Sequence, residues 1–326
     1  MQRSVISLLD VHWLTTRELA LLLFPPLFLA VSMGQETNAS PPEAAYASTT
    51  SIVVHSDLVL IPVTVTDRGG SVVGGLQKQH FTLLEDQVEQ AITNFSAEDA
   101  PASIGFVFDS SDSMRPKLGK AREAVASLLS KAHAEDEFFL VQFSSLPELL
   151  VPMTNRREDI WNRVETLQLG GATALLDAVN LAMEEMKKAR HIRKAIIIIS
   201  DGEDNASRCS MSQFKAAARG GEVLIYAIGI DSNSSSMRTD ANGSAFLREI
   251  TNQTGGRLIE VHKLNQLPEA ASRIGEWLRR QYVLGYVPDN SAHTGGYHRI
   301  QVRLSRPKGF PQLHAFWRLG YYEPVE

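Results

Sequence analysis

The stretch KAIIIISD, Lys194–Asp201, decides the fold. Its apolar residues run without alternation, so side chains on both faces of a strand would be buried. Antiparallel strands with one wet face alternate; strands covered on both sides by helices do not. SIGFVFD (Ser103–Asp109), EFFLVQFS (Glu137–Ser144) and EVLIYAIGI (Glu222–Ile230) share that character. Between them, Leu118–Ala132 and Leu175–Lys188 repeat apolar residues at helical spacing. Strand and helix in alternation predict an α/β domain, doubly wound around a mostly parallel sheet, over residues 103–278.

The flanks read differently. LVLIPVTVTD (Leu58–Asp67) alternates with β-branched residues, and HFTLLED and QAITNFS follow between glycine turns. After the α/β segment come QYVLGYVP, YHRIQVRLS and HAFWRLGYY. Residues 51–99 thus form an N-terminal β module and 279–326 a C-terminal β segment. Because domain ends commonly lie close together, the two are expected to join in one β-sandwich-like module with the α/β domain inserted between them. Tyr282, Tyr286, Trp317, Tyr321 and Tyr322 are read as packing within that module, ahead of a sugar-stacking platform.

At the amino end, Leu19–Val31 (LALLLFPPLFLAV) follows Arg3 and Arg17 and precedes small residues. At about 1.5 Å per helical residue it is too short for a bilayer core of about 30 Å, and Pro25-Pro26 interrupts a helix. Residues 1–34 are therefore expected to be a secretory signal peptide, and 35–50 a flexible linker. Export to the periplasm or the exterior follows, with membrane attachment only if the signal stays uncleaved. The chain has 326 residues with 32 Lys and Arg against 37 Asp and Glu, a net charge of −5. That balance speaks against a nucleic-acid partner, whose binding face would be basic. One cysteine, Cys209, rules out an intrachain disulfide and CxxC zinc sites.

The chemistry gathers at strand ends. Asp109-Ser110-Ser111-Asp112-Ser113 follows the first α/β strand, Gly170-Gly171-Ala172-Thr173 sits in a loop opening the helix from Ala174, and Asp201-Gly202-Glu203-Asp204 follows KAIIIIS. Doubly wound sheets bind ligands beyond the carboxyl ends of their strands. An all-oxygen set of two carboxylates and three hydroxyls suits a hard divalent ion, Mg2+ first, with Ca2+ or Mn2+ as alternatives. Two directly bound carboxylates would cancel the ion's charge. If Asp201 reaches it through water, about one positive charge remains, and a partner carboxylate becomes a favourable further ligand.

These three segments resemble the metal-ion-dependent adhesion site of von Willebrand factor type A domains: Asp-x-Ser-x-Ser as Asp109, Ser111 and Ser113, then Thr173, then Asp201. Residues 51–323 further resemble a bacterial family related to that domain and named for acidobacteria, through LVLIPVTVTDRGG, HFTLLED, GGATALLDAV, SDGEDNAS, RRQYVLGYVP and RLGYY. The resemblance implies an open sheet with the metal at its top and a binding role in place of catalysis. One departure stands out: Asp112 occupies a position that is commonly Gly. Its charge would repel an acidic ligand or favour Ca2+, so Asp112→Gly is expected to tighten acidic-ligand binding.

Each residue also has a plain reading. Asp109 and Asp201-Gly202 could form turns, and Ser111, Ser113 and Thr173 could cap helices; Asp177, one turn beyond Thr173, reads as a capping or solvated carboxylate. Two other functions compete with metal-dependent protein binding. A structural envelope scaffold would carry the same site without adhesion. A Mg-dependent hydrolase using Asp109 as nucleophile would need a second acid two residues on, where Ser111 stands, and GxSxG and P-loop motifs are missing.

Overall fold

A computed structural model describes residues 58–220, 222–230, 239–288 and 296–323. The expected signal peptide and linker, residues 1–50, lie outside the described residues, as do the first seven residues of the 51–99 segment. No helix among the described residues is long and apolar enough to cross a membrane.

In chain order the amino-terminal strands are β1 (Val59–Thr66), β2 (Phe81–Glu85), β3 (Val88–Gln90) and β4 (Asn94–Ser96). The α/β region follows with β5 (Ala102–Asp109), α1 (Leu118–Ser130), β6 (Glu137–Phe143), β7 (Pro147–Thr154), α2 (Arg157–Glu165) and α3 (Leu175–Met186). It continues through β8 (Arg193–Ser200), α4 (Met211–Arg219), β9 (Leu224–Ile230), α5 (Thr239–Thr254), β10 (Leu258–Val261) and α6 (Leu267–Arg279). The chain closes with β11 (Gln281–Tyr286), β12 (Tyr297–Leu304), β13 (His314–Trp317) and β14 (Gly320–Tyr322).

The central sheet runs β10-β9-β8-β5-β6-β7, parallel except for the β6–β7 pair at one edge. The two-residue period of a strand explains why its sequences are apolar throughout. On β8, Ala195, Ile197 and Ile199 enter a core shared with α1 and α6, whereas Ile196 and Ile198 enter another shared with α3, α4 and α5. Phe106 and Phe108 of β5 join the first core, and Val107 the second. Successive strands after β5 lie first on one side of it (β6, β7) and then on the other (β8, β9, β10). The order therefore reverses at β5, and a crevice opens beyond the carboxyl ends of β5 and β8.

Two antiparallel four-stranded sheets, β13-β1-β11-β4 and β14-β12-β2-β3, make the flanking sandwich. Each mixes strands from before and after the α/β region. Ile61 pairs with Leu284, Val63 with Tyr282, and Leu83 with Val302 across the sheets' ladders. Their side chains meet in a third core with Phe81, Tyr286 and Ile300. Tyr282, Tyr286 and Tyr321 are buried in this packing; Tyr322 is exposed on the edge, with its ring 5.2 Å from that of Tyr297. HAFWRLGYY, read as a single strand-like run, is two strands in two sheets: His314–Trp317 pairs with β1, whereas from Leu319, whose carbonyl accepts from Ile300, the chain runs beside β12.

The sandwich is tied to the α/β layers by one buried and one half-buried cation. The Arg193 guanidinium, 2% exposed, donates to the carbonyls of Glu98, Ala100, Arg279 and Gln281. Arg257 lies over Phe316 at 4.0 Å and over Trp277 at 5.0 Å, joining β13 to α6.

Candidate metal centre

Asp109 ends β5 and is wholly buried. Its Oδ1 accepts the backbone N–H of Ser111 at 2.9 Å, and its Oδ2 accepts the Ser200 hydroxyl at 2.6 Å. These bonds favour the carboxylate, but burial outweighs them and the charge of Asp201 adds to it, so the Asp109 pKa is pushed up to about 6. A carboxylate held at such cost gains most from a cation placed beside it.

Three loops converge there, and backbone hydrogen bonds join them. Gly170 donates to the Ser110 carbonyl (2.9 Å), Asp112 donates to the Gly171 carbonyl (3.3 Å), and Gly171 donates back to Asp112 Oδ2 (3.1 Å). On its other side, Thr173 donates to Asn205 Oδ1 (2.8 Å), and its carbonyl accepts from Asn205 and Ala206 (2.9 and 3.0 Å). Ser144 and Ser145, at the β6–β7 turn, hold the Gly170–Thr173 loop from below through Ala174 and Ala172. Gly171 has φ +94°, and a Cβ there would lie 2.6 Å from the Ser145 hydroxyl. Gly202, with φ +88°, would place a Cβ 2.4 Å from the Gly243 carbonyl oxygen. Both turns thus depend on glycine for conformation and for space.

The hydroxyls are not used for capping. Ser111 precedes a short 3-10 turn and Ala174 caps α3, neither with a side-chain cap bond, and the cap residue of α1 is Lys117. The Ser111 and Ser113 hydroxyls instead lie 3.0 Å apart. Asp177 does take a structural role, accepting the N–H groups of Arg208 and Cys209 at 3.0 and 2.8 Å. Cys209 is half-buried, with its sulfur 2.8 Å from Asn180 Nδ2.

Asp201 completes the ring. Its Oδ2 is 2.8 Å from the Lys117 ammonium, with side chains 10% and 4% exposed respectively. Its Oδ1 is buried without a hydrogen-bond partner. Buried polar atoms are nearly always satisfied, so an orphaned carboxylate oxygen here fits a cation site. No cluster of three His, Cys, Asp or Glu side chains able to hold a metal occurs among the described residues, so a metal here would depend on hydroxyl and carboxylate oxygen together. Asp112, the departure noted in sequence, is exposed; its carboxylate is held by Arg115 at 2.9 Å and by Gly171, which lower its pKa.

Sequence reasoning missed three contributors. Lys117 was hidden as an ordinary lysine at a helix start, and Ser200 as the last residue of an apolar strand. Asn205 stands within SDGEDNAS, where nothing in the motif gives it a role. A polar residue ending an all-apolar buried strand was the one available signal, and it applies to Ser200.

Residues 104–203 match the family model described as von Willebrand factor type A domain. An uncharacterized protein of Borreliella burgdorferi is 26% identical over 187 residues, 50% of this chain and 54% of that protein, so the chain spans about half the length of that relative. Among solved structures, the conserved hypothetical protein BatB from Bacteroides thetaiotaomicron is 20% identical, with TM-score 0.44 over 54% of this chain and 98% of its own. A von Willebrand factor type A protein from Catenulispora acidiphila is 13% identical, with TM-score 0.49 over 81% of this chain and 72% of its own. Proximal thread matrix protein 1 from the mussel byssus, with a zinc-occupied MIDAS motif, is 18% identical, with TM-score 0.46 over 60% of this chain and 49% of its own. The segment carrying Asp109, Ser111, Ser113, Thr173 and Asp201 is a von Willebrand factor type A domain.

Proposed function

We propose that this chain is a divalent-metal-dependent protein-binding module, exported from a bacterial cell, that captures a carboxylate of a partner protein and catalyses no reaction. One observation carries the reading: at the edge where three loops are stitched together, the Ser111 and Thr173 hydroxyls cap no helix and Asp201 Oδ1 is buried without a partner. Asp109, Ser111, Ser113 and Thr173 would hold the ion, with Asp201 beside it directly or through water. Mg2+ suits this oxygen set, and Ca2+ or Mn2+ would also be accepted. When bound, the ion supplies an electrophilic position open to one more anionic oxygen. The rigid loop stitching keeps the donors in place, so little ordering cost falls on the binding step.

Calorimetry on the chelator-stripped protein tests this. Uptake of one Mg2+, lost in Asp109→Ala, is expected, together with Mg2+-dependent retention of an acidic partner protein from an envelope extract. Retention that is equal with and without EDTA, in wild type and variant alike, would favour a non-adhesive scaffold instead.

A further inference from the structure

Lys117 changes the charge of the site. It precedes α1, four residues after Ser113, and its ammonium is buried against Asp201 Oδ2 at 2.8 Å. Burying a lysine is costly unless it is paired, so this cation belongs to the site's interior and is little screened by solvent. Counted over the groups in the buried Asp109–Asp201–Lys117 set alone, Asp109 and Asp201 contribute −2 and Lys117 +1. Glu203 and Asp204, partly open to solvent, stand outside that set, and exposed Asp112 and Arg115 cancel one another. A divalent ion added to that set leaves +1 even if both carboxylates touch it. The sequence-level count reached the same residue of charge only by placing water between Asp201 and the ion; Lys117 removes that requirement.

We propose that Lys117 is a specificity-determining residue that keeps the metal-loaded site positive and thereby selects an anionic ligand. The inference rests on the metal-dependent reading above and deepens it. Its signature is a pair of opposite effects. The ammonium repels a divalent ion, which weakens metal binding, and attracts the incoming carboxylate, which strengthens capture. A lysine that merely braced the fold would shift both in the same direction.

Acetate serves as the carboxylate probe and Mn2+ as the metal. If acetate binds at the metal, it must raise apparent Mn2+ affinity, because the coupling between two ligands is reciprocal. Calorimetric Mn2+ titrations with and without acetate would compare wild type, Lys117→Met, Lys117→Arg and Asp201→Asn, each checked for a native melting transition. Lys117→Met should bind Mn2+ about tenfold more tightly or better, and lose most of the acetate enhancement. Lys117→Arg should resemble wild type in both respects. Asp201→Asn, which removes a negative charge and leaves the ammonium, should bind Mn2+ more weakly and show a larger acetate enhancement; it carries the test if Lys117→Met does not fold. Weaker Mn2+ binding by Lys117→Met, or an acetate enhancement unchanged in Lys117→Met or in Asp201→Asn, overturns the proposal. Absence of Mn2+ uptake by wild type would remove the metal-site reading itself, and this inference with it.

Discussion

The Ser200 hydroxyl donates to Asp109 Oδ2 at 2.6 Å while accepting the Gly202 N–H at 2.9 Å, so one side chain links the ends of β5 and β8 to the turn that follows β8. Both atoms it serves are buried. Ser200→Ala leaves a carboxylate oxygen and an amide short of a partner, and is expected to cost about 2–3 kcal/mol of stability, in the range of buried hydrogen bonds to charged groups. Urea unfolding would read the loss as a lower midpoint at unchanged slope. A midpoint equal to wild type would show that the bond contributes nothing net.

The raised Asp109 pKa gives stability a definite slope with pH. The folded-state value of about 6, set first by burial and then by Asp201, exceeds the unfolded value of about 4. The folded state therefore binds more protons within that window, and stability falls as pH rises from about 4 to about 6, then levels off. The full effect is about 3 kcal/mol, two units at about 1.4 kcal/mol each. Urea midpoints measured in EDTA across this range should decline in wild type and decline less in Asp109→Asn. Saturating Mg2+ should offset the decline, because binding requires the deprotonated acid.

Asp112→Gly needs a smaller expectation than its sequence supports. Arg115 lies 2.9 Å from the Asp112 carboxylate and already offsets its charge. Exposed pairs of this kind couple weakly, so acetate affinity at the Mn2+-loaded site should rise by less than about fivefold. The same substitution removes the acceptor for the Gly171 N–H. A net loss of acetate affinity would mean that the loop tie matters more than the charge.

Gly202→Ala combines a positive φ with a Cβ 2.4 Å from the Gly243 carbonyl. Since that neighbour is backbone, α5 must shift or the turn must reopen. A cost of about 1–3 kcal/mol is expected, along with weaker metal uptake as Asp201 moves. Thermal melts of wild type and variant in EDTA and in Mg2+ would separate the two effects. A melting point unchanged in EDTA would show that α5 yields freely.

Much of the fold is legible because burial on two faces leaves a plain trace. Ser103–Asp109, read as a strand, is β5 apart from one residue at its start, and Lys194–Asp201 differs from β8 by one residue at each end. β7 escaped notice: Pro147–Thr154 is a half-exposed edge strand, so neither a continuous apolar run nor clean alternation marks it. QAITNFS yields only Gln90 at the end of β3 and the three-residue β4, with Thr93 bonding the Gly285 carbonyl just outside the ladder. Within the site, Asp109, Ser111, Ser113, Thr173 and Asp201 were visible as strand-end polar residues, and the loop bonds place their segments side by side. Lys117 was not, because its significance arises from a partner 84 positions away that only the closed sheet brings near.

The interleaved sandwich has a mechanical corollary. β1, the first described strand, is hydrogen-bonded directly to β11 and β13, which lie on the carboxyl side of the inserted domain. The β1–β13 ladder is antiparallel, so the start of β1 and the end of β13 lie at the same end of it. Tension between the two ends of the folded region would open that ladder pair by pair from there and bypass the insert. A pull on those two ends would thus load the sandwich first, and the loops carrying Asp109, Thr173 and Asp201 would keep their geometry until the ladder gave way.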